Sequence, residues 1–98
     1  MAEPVLEQYE MTFIMIEKDA ATLEAQREEI KNNLTRRNVK VSKIDMLGTK
    51  TLFHEKNHHK RGNFNSWILN APRESIQQLR SDLNVNANIL KSMIIKTG

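Results

Sequence analysis

Residues 9–24 read YEMTFIMIEKDAATLE, and two periodicities meet inside them. Over residues 9–16 the pattern has period two. Tyr9, Met11, Phe13 and Met15 fall on one face, and Glu10, Thr12, Ile14 and Ile16 on the other. That spacing predicts a strand, with the first face toward the core. Three residues later Asp19 offers an N-cap oxygen. From there to residue 37 the chain is rich in helix formers. Its stripe is Ala20, Leu23, Ile30 and Leu34, with the stem of Arg27 at the gap. Asn38 tolerates the left-handed conformation that closes many helices. A strand running straight into a helix of this length points to a mixed α and β domain.

The alternation returns over residues 39–53 at Val39, Val41, Ile44, Met46 and Leu52. Its phase changes between Val41 and Ile44, which predicts a bulge, and Gly48 marks a second. Residues 54–61, HEKNHHKR, show neither period and read as a hairpin tip. A third strand follows over residues 62–71, with Asn65, Trp67 and Leu69 on one face and Phe64, Ser66 and Ile68 on the other. Pro72 suits the first position of a helix, whose stripe is Ile76, Leu79 and Leu83 and whose stop is Asn84. Residues 88–96 form a last strand. The order is β-α-β-β-α-β, the ferredoxin-like split βαβ arrangement. It is α+β, with a four-stranded antiparallel sheet and both helices on one face. Residues 1–98 form a single domain, and residues 1–8 are a loose N-terminal arm.

Composition restricts the chemistry. The chain has 98 residues, 39% of them hydrophobic and 28% charged, which suits one small globular domain. It has no cysteine, so neither a disulfide nor a thiolate is available. No apolar run reaches spanning length, and the acidic N-terminus resembles neither a signal nor a transit peptide. The net charge is +3, unevenly spread: residues 1–30 carry eight acids and two bases, and residues 31–98 thirteen bases and four acids. That predicts one acidic and one basic surface and an anionic partner for the second.

His54-Glu55-Lys56-Asn57-His58 fits H-E-x-x-H, the zinc-peptidase pattern. The motif works only on a helix, where one turn brings both His beside the metal. Its flanks here read as strand. The extended form needs Gly at 61 and His at 64, where this chain has Arg61 and Phe64. Lys56, Lys60 and Arg61 would repel a divalent cation. With His59 added, incidental metal binding ranks above hydrolysis, and a basic loop above both.

Other residues carry a resemblance that covers residues 9–96. Tyr9-Glu10 opens the first strand, and Leu47-Gly48-Thr49-Lys50-Thr51-Leu52 is similar to a Gly-x-Arg-x-Leu stretch with Lys50 in place of Arg. Gly62, Ala71-Pro72, Leu83-Asn84 and Asn88 through Lys96 follow in order and at matching spacing. On these the chain resembles the bacterial-type small-subunit ribosomal protein six family. The departures cluster at the middle hairpin. Phe53, His54 and Lys56 stand in an Ala-Tyr-x-Ile segment, and Asn63 replaces an aromatic.

The resemblance implies a structural ribosomal protein without catalysis. It implies binding to the central domain of small-subunit rRNA together with ribosomal protein eighteen. The expected RNA contacts are Lys91 and Lys96 on the last strand, Lys50 in the motif, and Lys56, Lys60 and Arg61 at the hairpin. Ile14, Ile16 and Ile68 are expected on the open sheet face, covered by the protein partner. Trp67 is expected in the core, and at least one of Tyr9 and Met93 with it. No catalytic residue, metal ligand, cofactor, small-molecule substrate or membrane contact is expected. The location implied is the ribosome, in bacterial cytoplasm or the mitochondrial matrix. The competing reading is a ferredoxin-like protein-interaction module with no RNA role, and a zinc hydrolase is the remote third.

Overall fold

The computed structural model describes residues 5–56 and 59–97, with the side chains of 53–56 left out. Its elements are β1 (Glu7–Ile16), α1 (Ala20–Arg36), β2 (Lys40–Lys56), β3 (His59–Ala71), α2 (Arg73–Asn84) and β4 (Ile89–Lys96). One antiparallel sheet runs in the order β2-β3-β1-β4. This is the ferredoxin-like arrangement expected.

The β1 alternation decides which face is covered. Tyr9, Met11, Phe13 and Met15 are all buried, and the residues between them only partly so. Trp67 and Leu69 of β3 continue that face, and Phe13 meets Trp67 edge-on with ring centroids 5.1 Å apart. Leu23, Ile30 and Leu34 of α1 and Ile76, Leu79 and Leu83 of α2 close the layer from above. Each such side chain contributes about 1.5–3 kcal/mol on burial.

The helix ends follow local chemistry. Asp19 Oδ2 accepts from the Thr22 backbone N–H at 3.1 Å, filling one orphan donor at the N-terminus of α1. At the other end Asn38 has φ 61°. The Val39 N–H reaches the Leu34 carbonyl at 2.9 Å, and the Asn38 N–H that of Thr35 at 3.1 Å. That pair of bonds is a Schellman closure, with Asn in the usual glycine position. Pro72 lies one residue outside α2 rather than in its first turn. Its ψ of 144° is extended, so the helix starts at Arg73.

Both predicted bulges are present, as register shifts between Val41 and Lys43 and between Met46 and Gly48. Gly48 has φ 86°, a conformation that favours glycine. Two expectations are corrected. Glu7 and Gln8 belong to β1, opposite Ala71 and Asn70, and not to a loose arm. Residues 1–4 lie outside the described residues. Residues 54–56 and 59–61 are strand, where no period was legible. Alternation records one buried face, and this stretch of hairpin projects beyond β1, whose last partner on β3 is Gly62. Of its described side chains, His59 is half-buried and Lys60 and Arg61 are exposed, so none marks a buried face. The molecule is accordingly elongated, 48 × 25 × 22 Å.

Candidate nucleic-acid and protein interface

The helices occupy one face of the sheet and leave the other open. Register assigns that face row by row. Gly48, Phe64, Ile14 and Lys91 form one row across the four strands. Asp45, Ser66, Thr12 and Met93 form the next, and Lys43, Ile68, Glu10 and Ile95 the one after. Ile16, Gly62 and Lys50 lie toward the hairpin.

The face mixes apolar residues with Thr12, Ser66 and Glu10 at its centre, and carries bases on its outer strands β2 and β4. Ile14, Ile16 and Ile68 all turn to it and are half-buried, with the Thr12–Ser66 row between Ile14 and Ile68. Met93 and Ile95 extend the patch on β4 and are more exposed, at 50% and 47%. Phe64 fills the space between Ile14 and Gly48. Sequence alternation places Phe64 on the Ile68 face without naming it as a partner contact, and it missed Ile95, whose membership depends on register. Lys40 and Lys43 on β2 were missed as margin bases for the same reason; both are exposed.

The six expected RNA contacts divide. Lys50 is exposed on the open face, its Nζ 5.9 Å from the Phe64 ring centroid, a cation–π distance. Lys91 is exposed on the same face, opposite Ile14. Lys60 is exposed and, by alternation from Gly62, turns the same way. Arg61 turns to the other side, where its Nε lies 3.2 Å from Glu17 Oε2. Lys96 also lies on the helix side, opposite Tyr9, with its Nζ 3.5 Å from Glu7 Oε1. The Lys56 side chain is outside the described residues. Lys91 and Lys96 are five apart, an odd number, so one strand presents them to opposite faces.

Glu7 is the hub of the helix-side margin. It accepts from the Tyr9 hydroxyl at 2.8 Å and from Arg73 Nη2 at 3.2 Å. The Tyr9 bond, then the Arg73 guanidinium, hold its carboxyl below the ordinary value. Tyr9 is buried in the core, and its hydroxyl is pushed up by that burial and by Glu7. Lys96 and Tyr9 thus belong to one internal network.

The zinc-peptidase reading loses its scaffold. Residues 54–56 are extended, so no helical turn joins His54 to His58. The side chains of His54 and Glu55, and His58 entirely, lie outside the described residues. Among the described residues no helix is long and apolar enough to cross a membrane.

The profile of the family described as ribosomal protein S6 matches residues 8–96, most of the chain. The chain belongs to the ribosomal protein S6 family. Among solved structures it is similar to the 30S ribosomal protein S6 of Thermotoga maritima, with a TM-score of 0.86. The match covers 94% of this chain and 88% of that one at 18% identity, a likeness of fold. As an S6 family member the chain is a small-subunit ribosomal protein, in a family of structural rather than catalytic proteins. The open sheet face is left uncovered by this member's own helices.

Proposed function

We propose that this chain binds the central domain of small-subunit rRNA as a pair with ribosomal protein eighteen, the open face taking the protein and the basic margins taking phosphate. The observation that carries this reading is the arrangement of that face. Ile14, Phe64, Ile68, Met93 and Ile95 share that face with Thr12, Ser66 and Glu10 between them, while Lys43, Lys50 and Lys91 stand on the outer strands. Apolar groups interspersed with polar ones and flanked by bases suit a protein partner bound beside nucleic acid. Lys50, Lys60 and Lys91 are the first RNA contacts on this reading. Arg61 and Lys96 would have to leave Glu17 and Glu7 to join them. With few aromatics on the face, recognition rests on phosphate and shape more than base stacking. The place of action is the small ribosomal subunit, in bacterial cytoplasm or in the mitochondrial matrix.

The test is binding of the purified chain to a central-domain rRNA transcript, with and without the partner, across a salt series. Affinity should rise when the partner is present and fall steeply with salt. Affinity that ignores salt and partner, together with absence of the chain from salt-washed small subunits, would leave an RNA-independent interaction module as the correct reading.

A further inference from the structure

The last row of the sheet that still includes β1 is Ile16 opposite Gly62. Beyond it β2 and β3 run on as a two-stranded arm, with Thr51 opposite Arg61 and Lys56 opposite His59. A two-stranded ribbon by itself is marginal and does not set its own direction. Its root must do so.

An unusual polar chain lies at that root. Asn63 and Asn65 occupy core-facing positions of β3, at 5% and 0% exposure. Arg27 enters from the gap in the α1 stripe. Its Nη2 donates to Asn63 Oδ1 at 2.9 Å, and its Nε donates to Asn65 Oδ1 at 3.2 Å. Asn65 Nδ2 donates to Asn63 Oδ1 at 3.1 Å. Asn63 Nδ2 then reaches Thr49 Oγ1 on β2 at 3.4 Å. One hydrogen-bonded path therefore joins the helix layer, β3 and β2. It ends beside Lys50 and just past the Gly48 bulge.

We infer that Arg27 is a positioning residue for the β2–β3 arm, holding Lys50 and Lys60 in a preset direction through Asn65, Asn63 and Thr49. The inference rests on the RNA-binding reading of those two lysines. Aliphatic residues at 27, 63 and 65 would fill the same space. They would fix neither a distance nor an angle, since apolar contact is non-directional and hydrogen bonding is not. Buried amides left without a partner are costly, so the arrangement that satisfies all of them is singled out. An arm ordered before it meets RNA avoids the entropy of ordering on binding.

The absence of cysteine allows a direct test. Spin labels at Thr51→Cys on the arm and Gln77→Cys on α2 report the arm's direction as a distance distribution. The distribution should be narrow with Arg27 and broad in Arg27→Met, with Arg27→Lys between them. If Arg27→Met fails to fold, the triple variant Arg27→Met, Asn63→Val, Asn65→Leu leaves no orphaned amide and should fold, with the arm still broad. An equally narrow distribution in either variant would overturn the inference. Affinity for the rRNA transcript should fall several-fold in the variants with an unchanged salt slope. A reduced slope would make Arg27 a phosphate contact and also overturn it. Failure of the parent chain to bind RNA would remove the reading of the lysines while leaving the distance result intact.

Discussion

Gly62 shows what a single position can demand. A Cβ built there would collide with Ile14 Cγ2 on the open face, and Leu52 Cδ2 lies close by. Gly62→Ala should therefore destabilise by about 1–3 kcal/mol, the range for overpacking. Ile14→Ala removes the colliding Cγ2, so the double variant should lose less than the sum of the two single losses in urea unfolding. Asp82 makes a different demand. Its carboxylate accepts from Arg37 Nε at 3.0 Å and Nη2 at 3.1 Å, and from Asn33 Nδ2 at 3.0 Å, tying α2 to the end of α1. The Arg37 bonds lead in holding its carboxyl below the reference value of 3.8. A depressed folded value means the stabilisation is present above about 3.8 and is lost as pH falls through the folded value. Asp82→Asn should thus be less stable than the parent at neutral pH, and the gap should shrink on acidification below pH 4 in thermal melts. Neither demand is legible from neighbours in the chain, because Ile14 lies 48 residues from Gly62 and Arg37 lies 45 from Asp82.

Elements were legible wherever one face is buried. The period-two run of β1, the Asp19 cap, the Asn38 closure and both β2 bulges are written in local residue order. The outer hairpin was not legible, because its described residues 59–61 lie beyond the last β1 row and include no buried side chain to set an alternation. Parity along β4 also has a consequence. Lys91 faces out beside Ile14, while Lys96 faces the helix side and pairs with Glu7. Lys91→Gln should flatten the salt dependence of RNA binding by roughly 0.7–0.9 in log–log slope, one phosphate contact. Lys96→Gln should leave that slope unchanged. Equal effects from the two would show that strand parity does not decide RNA contact here.

At the scale of the molecule, the charge asymmetry does not become one acidic and one basic surface. On α1, Glu24, Glu28 and Glu29 are matched by Arg27, Lys31 and Arg36, while Lys40, Lys43, Lys50, Lys60 and Lys91 are exposed along the sheet and its arm. Ile68 lies on the open face, between Lys43 and Glu10 in its row. Ile68→Glu should weaken pairing with the protein partner by an order of magnitude or more in calorimetric titration, with the circular dichroism of the monomer unchanged. Loss of the folded signal would show that Ile68 serves the fold and not the face. The sequence alone determined the order of elements, the core stripes of β1 and α2, most of that of α1, and the family, since these depend on short-range periodicity and motif order. Only the tertiary structure decided which lysines share a face, that Ile44 and Met46 of β2 are exposed, that Ile95 joins the isoleucines, and that Arg27 meets Asn63 and Asn65. These facts depend on strand register and helix placement, which bring together residues 36 and 38 positions apart and have no local signature.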